Sequence, residues 1–471
     1  GFDGNRLIVV PHAGFGENAY YDQKSKSLQF YYFGDQTSPG YTCLSHDIIA
    51  HETGHAILDG LRPYYLNFTS VQTAAFHEFV ADLSAIVSAL RNNQVRLSDS
   101  KRTQGDMTRD GIIQGLAEEF GDHISGAGPL RSANNDETMD SIQDNPSPHD
   151  CSLVLSGAMF EIFTGVVNSH LVEAGEGAVK AASPLQRLWY ATPRFIRMAI
   201  QPLDFLPPVD VTFLDYARAV MQHLLLYEPY DSPQRELYIQ LVRSVFHKRK
   251  LCPIALDPAQ PHACILESRY LPAAWDISYP VSAIAASPTS AYQFLHDNRR
   301  CLFIPPHQDI LVADLYHTRK QGRKVDRLPE EIVLEYIWKE EVPLEEERFG
   351  DLQGTHAELL CGGTLVFNEN GNLISWMQKP GTEMAPGPNA KKTKYNAQLA
   401  ALHAEGVQRR EALLKHIASQ VESGALGLHD PHALHGNRHH AAFVERRVPA
   451  YCEVRQSAEE PERHDRGAAQ C

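Results

Sequence analysis

Residues 45–61 read SHDIIAHETGHAILDGL, a segment with helical spacing in which His51 and His55 stand four apart and Glu52 follows the first. In an α-helix, positions i and i+4 lie one turn apart on one face, so both imidazoles can present a ring nitrogen to a single ion. Glu52 points to a neighbouring part of that surface, where it can reach a water held by the ion; the role this pattern gives it is general base. With 23 histidines in 471 residues, the pattern arises by chance at a frequency on the order of 0.1 per chain. The competing reading is an amphipathic helix whose histidines are hydrogen-bonded or exposed.

A catalytic zinc takes three protein ligands and keeps one position open. The stretch FHEFVADL, residues 76–83, supplies a third candidate. Glu78 lies 23 residues after His55, which leaves room for the turn LRPYYLNFTS and an antiparallel return. Asp82, one helical turn beyond Glu78 on the same face, can bind the outer nitrogen of a zinc histidine and fix its tautomer. Alternatively, Glu78 and Asp82 form the solvated edge of an amphipathic helix.

The 471 residues are 43% hydrophobic and 21% charged, the composition of a globular chain long enough for two or three domains. A formal net charge of −15, spread along the chain, argues against nucleic acid as a partner, because phosphate recognition needs a basic face. No run of 18 apolar residues suggests a membrane span, and the first twenty residues lack the layout of a signal peptide, so a soluble protein is expected. The opening GFDGNRLIVV enters directly on an apolar stretch, as in a processed or partial chain. Eight scattered cysteines without a C-x-x-C pair speak against a thiolate metal site or a disulfide scaffold and leave room for an isolated disulfide.

Working outward from the quoted stretch, ENAYYDQKSKSLQFYYFGD (17–35) carries two aromatic, strand-like runs around a polar insert and reads as a hairpin. VQTAAFHEFVADLSAIVSAL (71–90) has Ala75, Phe79, Leu83, Ile86 and Leu90 at helical steps. Between 91 and 148 the composition favours loops, with a short helical piece near Gly111 to Phe120. Four helical patterns follow up to residue 250, several opening with Ser or Thr in N-cap position. After Leu251 the chain turns Pro-rich and irregular; EEIVLEYIWKEE and GGTLVFNENGNLISWMQKP then read as strands, the latter pair joined by a turn at Asn370 and Gly371. A helix over about Lys391 to Val421 precedes a polar tail with His429, His432, His435, His439 and His440, read as solvated.

The motif series NAYY, YYFGD, SHDIIAHETGHAILDG and AAFHEFVADLSAI resembles the thermolysin-type gluzincin metallopeptidases over about residues 18–250. The resemblance implies an α+β fold: a thermolysin-like zincin core of a small sheet plus active-site helices, an all-helical lobe and an appended C-terminal β segment. The divisions expected are 1–125 for the catalytic lobe, 126–250 for the helical lobe, 251–382 for a linker and β-rich segment, and 383–471 for a helix and disordered tail. It further implies that His51, His55 and Glu78 ligate Zn2+, that Glu52 activates water and that Asp82 orients a zinc histidine. Asn18 and Ala19 match the family's substrate-binding edge strand. Arg131, in GPLRSANN, matches a donor to a substrate carbonyl, and His149, in PHDCSLVLSGAMFEIF, is the candidate oxyanion donor although displaced by four residues. Tyr64 or Tyr65 is the second candidate donor. His77 stands where the family has Asn and offers another nitrogen or a hydrogen bond. Asp47 matches one carboxylate of a Ca2+ cluster whose other acidic positions, around Ala89, are apolar here. The implied activity is zinc-dependent endopeptidase hydrolysis of a peptide or protein substrate, secreted if the family habit holds. The alternative is a catalytically inactive zinc-binding scaffold.

Overall fold

The structure, a computed structural model, describes residues 6–34, 39–116, 129, 131–142, 147–169, 182–228, 233–251, 280–319, 330–387, 391, 393–424 and 426. Three expectations lie outside them: the histidine-rich tail, the linker 252–279, and residues 117–120 of the short helical piece.

Helix and sheet mix in an α+β chain. The first sheet has the order β1 (Ile8–Val10), β3 (Ser27–Phe30), β2 (Ala19–Asp22), with β1 parallel and β2 antiparallel to β3. β2 and β3 are the hairpin read from the sequence. Its alternation puts Ala19, Tyr21, Leu28 and Phe30 on one face, where they share a small core with Ile48 and Ala56 of helix α1 (His46–Leu61). Asp59 of α1 tethers the hairpin by accepting from Tyr21 Oη (2.7 Å), Gln23 Nε2 (2.7 Å) and Lys26 Nζ (2.9 Å). A second pair, β4 (Tyr32–Gly34) and β5 (Pro39–Tyr41), leads into α1.

Helix α2 (Val71–Arg91) packs on α1 and centres the larger core with α4 (Pro148–Ser169), α5 (Pro184–Ile200), α6 (Phe213–Tyr227) and α7 (Pro233–Lys248). Capping boxes start two of these helices: Ser183 with Gln186, and Thr212 with Asp215. By length and composition alone α2 and α4 are apolar enough to cross a membrane. However, 72% of each apolar window is buried inside the protein, as core helices require.

Two further corrections concern residues 91–148. Helix α3 (Asn93–Thr103) occupies a stretch read as loop: Asn92 caps it, accepting from the Gln94 and Val95 N–H groups, and Gln104 ends it at φ 57°. At Gly111 the expected helix is instead a turn leading into β6 (Gly115–Leu116), which pairs with β7 (Arg131–Ser132). Asp99 of α3 enforces this turn by accepting from both Ile112 and Ile113 N–H.

The C-terminal sheet has the antiparallel order β11 (Leu373–Lys379), β10 (His356–Asn368), β9 (Glu330–Pro343), β8 (Leu311–Arg319). One face meets the helical lobe through Val333, Ile337, Val366 and Met377. The other carries Leu334, Tyr336, Trp338, Leu365 and Trp376 into a second core with α8 (Val281–Ile284), α9 (Pro288–Asp297) and α10 (Lys394–Glu422). Elements α8, α9 and β8 lie where irregular sequence was expected. The sheet is covered on both sides.

Candidate metal centre

Gly54 is what lets α1 and α2 meet. A Cβ there would stand 2.8 Å from Ala81 Cα and 2.9 Å from Ser84 Cβ, closer than real side chains approach. The small residue inside HETGH therefore sets the distance across which α2 offers Glu78 to the α1 histidines.

The Nε2 atoms of His51 and His55 lie 3.2 Å apart, and Glu78 Oε2 is 3.3 Å from the first and 3.5 Å from the second. A tetrahedral zinc about 2.05 Å from each ligand has ligand-to-ligand edges of about 3.3 Å. The three donors already stand at that spacing. Glu52 belongs to the same group, with its carboxylate and the two histidine nitrogens all within 4.8 Å of one another. This buried cluster could hold a metal ion. Glu78, from α2, closes a triangle with the two Nε2 atoms at 3.3 and 3.5 Å, and Glu52 stands beside the pair.

Outer contacts hold both rings. His51 Nδ1 is 3.1 Å from Asp82 Oδ1, so an ionised Asp82 accepts its proton and leaves Nε2 to face the cluster. Ser156, on the Ser-Gly step of α4, donates to Asp82 Oδ2 at 3.3 Å. His55 Nδ1 faces His77 Nδ1 at 3.3 Å, so His77 meets the His55 ring on the side away from Nε2. Arg131 and His149, far apart in sequence from the two helices, are both brought to the centre. Arg131 reaches Asp82 Oδ1 at 3.4 Å and His149 Nδ1 at 2.7 Å, and His149 Nδ1 is 3.0 Å from Glu78 Oε2.

The electrostatics favour a cation. Three carboxylates, Glu52, Glu78 and Asp82, face one guanidinium, Arg131, a formal excess of two negative charges when the imidazoles are neutral. Burial alone would lower the pKa of His51, but hydrogen bonds to Asp82 and Glu78 and the nearby charges outweigh it and hold it up to about 10. Burial alone would raise Glu78, yet the charges of His149 and His55 keep it well below the usual carboxylate range. Asp82 is likewise lowered against its burial by the Arg131 charge and the His51 hydrogen bond. A proton on His51 Nε2 and a divalent cation compete for one place.

The remaining candidates sit elsewhere. Asn18 and Ala19 lie at the start of β2, which has β3 on one side and no strand on the other among the described residues. The Asn18 carbonyl accepts from Tyr31 N–H, so alternation turns the Ala19 peptide groups toward the open edge. Tyr65 is corrected: its hydroxyl is buried and donates to the Pro207 carbonyl at 2.6 Å, away from the centre. Tyr64 packs with Val209, Ile337 and Leu360 against the C-terminal sheet. Asp47 accepts from the Ser45 hydroxyl and the Ile48 N–H within the first turn of α1.

No protein-family model matches the chain, and comparison with the curated proteins gives no match.

Proposed function

We propose that this chain is a zinc-dependent peptide hydrolase built on a thermolysin-like core, with His51, His55 and Glu78 as ligands and Glu52 as general base. The observation that carries the reading is the convergence of three donor atoms from two helices at 3.2 to 3.5 Å, with Glu52 beside them. Two imidazoles and a carboxylate are a donor set zinc accepts while keeping a vacancy, and the excess negative charge suits a divalent ion.

When bound, zinc supplies Lewis-acid polarisation of a carbonyl and lowers the pKa of water. Glu52 takes one proton from the attacking water and passes it to the amine nitrogen as the C–N bond breaks, so one water is consumed for each acid and amine formed. His149 Nδ1 can serve one partner at a time: its lone pair accepts from Arg131, or its proton goes to Glu78. With Glu78 engaged as a ligand, the Arg131 contact puts the His149 ring proton on Nε2, where it donates to the substrate carbonyl oxygen. Arg131 adds a second donor there. The open edge of β2 pairs with an extended peptide through Ala19.

The second reading, a zinc-binding scaffold without activity, draws on Tyr65, whose hydroxyl is committed to Pro207 and adds nothing to an oxyanion site. One comparison separates the two. Wild type and Glu52→Gln should both carry about one zinc, and wild type alone should cleave an internally quenched peptide, the variant losing at least about 100-fold in kcat/KM. Equal cleavage by both removes Glu52 from the reaction; zinc without cleavage in wild type favours the scaffold.

A further inference from the structure

We propose that the C-terminal sheet and α10 set the geometry of the metal centre by clamping the turn between its two ligand helices, through the positioning residues Arg62 and Arg409. The inference rests on the metal-site reading above; the C-terminal sheet and α10 lie beyond residues 18–250, over which the family resemblance extends.

The turn 62–70 joins α1, which carries His51 and His55, to α2, which carries Glu78. Its two ends are on the order of 10 Å from the nearest ligands along the helix axes. Any tilt of one helix against the other about this turn is passed directly to the spacing of the three donors. A metal site tolerates only about 0.5 Å of such error.

Both ends of the turn are held from the C-terminal side of the molecule. At the entry, the Arg62 N–H closes α1 on Leu58 O at 2.7 Å. Its buried guanidinium donates to Glu335 on β9 and to Leu203 O at 2.6 Å. At the exit, Asp210 receives the Thr69 N–H at 3.0 Å on one carboxylate oxygen and the Thr69 hydroxyl on the other. Arg409 of α10 holds Asp210 in place with Nε at 3.1 Å and Nη2 at 2.8 Å. The same guanidinium donates to Leu360 O on β10 and Pro380 O after β11, both at 2.5 Å. Arg409 thus joins α10, the sheet and the α1–α2 turn at one point.

Two features separate a positioning role from ordinary packing. Asp210 sits at φ 52°, the left-handed region that a non-glycine residue adopts when its surroundings impose it. Here the imposed conformation aims its carboxylate at the turn. Apolar residues of equal volume would fill the space and stabilise as well as a buried ion pair. What a planar guanidinium adds is direction, since its donors leave in a fixed fork.

The test uses the full chain and compares Arg409→Lys and Asp210→Asn with Ile417→Ala. Arg409→Lys keeps the charge but loses the fork, and Asp210→Asn keeps one acceptor but loses the second carboxylate oxygen; Ile417→Ala creates a cavity in the second core on the same helix, beside the His416 ring that meets Phe68 of the turn, and removes none of the hydrogen bonds of the clamp. Zinc affinity by chelator competition and the visible spectrum of the cobalt-loaded protein are read at a temperature where circular dichroism shows every variant folded. Amide exchange over residues 46–78 is read on metal-free protein. The clamp predicts zinc affinity weakened on the order of tenfold, an altered cobalt spectrum and faster exchange in 62–70 for Arg409→Lys and Asp210→Asn, with Ile417→Ala like wild type in all three. Unchanged exchange and affinity in the first two, or equal losses in Ile417→Ala, would overturn it. If wild type binds no zinc, the proposed function fails, and the exchange data still decide the clamp.

Discussion

A methyl group at Gly54 would fall on the Ala81 backbone at 2.8 Å, so the contact between the ligand helices depends on its absence. Gly54→Ala should push α1 from α2 by a few tenths of an ångström, cost about 1–3 kcal/mol and weaken zinc binding. Thermal unfolding with and without zinc measures both effects, and unchanged values would show that the helices can yield. Asp82→Asn tests the support behind His51. An amide in place of the carboxylate removes the charge that holds the ring, and zinc affinity by chelator competition should fall about 10- to 100-fold while the fold survives. At this scale most of the centre was legible. The spacing of His51, His55, Glu78 and Asp82 is helical, and helical spacing is local information. The places of His77 and Tyr65 were not legible, because each depends on which neighbour its ring meets: His55 for the first, the Pro207 carbonyl for the second.

Among the elements, those with a strong apolar period or a hairpin signal were readable, and α3 was not. Its buried positions include Arg96, Asp99 and Thr103, so it presents no apolar stripe; only the Asn92 cap marks it. The strand pair β6 and β7 was hidden for a related reason, since the side chain that turns the chain there, Asp99, comes from another element. Strand β9 shows the opposite case. Both faces are buried, one against the helical lobe and the other in the second core, so Ile332, Val333, Leu334, Ile337 and Trp338 do not alternate with exposed residues, and Glu331, Glu335 and Glu340 are buried among them. Capping gives a test at this scale. Thr212 accepts from the Asp215 N–H and donates its hydroxyl to the Asp215 carboxylate at 2.7 Å at the start of α6. Thr212→Ala should lower stability by about 1 kcal/mol in urea unfolding. No loss would mean that packing alone fixes the start of α6.

The whole molecule is held together by buried charge as well as by apolar faces. Lys379 of β11 meets Asp215 of α6 at 2.6 Å and Glu405 of α10 at 3.6 Å, joining the helical lobe, the sheet and the last helix. Burial alone would raise the pKa of Asp215, but the Lys379 charge and the hydrogen bonds from Lys379 and Thr212 hold it below the ordinary value. A carboxyl lowered in the folded state contributes stability above its unfolded pKa of about 3.9, and that contribution is lost as pH falls below this value. Acid titration followed by the fluorescence of Trp338 and Trp376, both buried in the sheet, should therefore show a stability loss below about pH 4 that is smaller in Asp215→Asn, with the lowered carboxyls of Glu78 and Asp82 supplying part of what remains. The same variant should be about 3 kcal/mol less stable at neutral pH, because Lys379 is left with Glu405 alone. This long-range bracing was not legible from the chain. The partners in Arg62–Glu335, Asp210–Arg409 and Asp215–Lys379 are separated by well over a hundred residues, and no local period announces them.

The claim on which the function rests is that two imidazoles of α1 and one carboxylate of α2 share a single cation. X-ray absorption at the zinc edge of the full-length, zinc-loaded protein measures this directly. Two imidazole nitrogens at about 2.0–2.1 Å, with the remaining ligands oxygen and one of them lost in Glu78→Ala, is the predicted result. A sulfur shell, or an unchanged spectrum in Glu78→Ala, would contradict it.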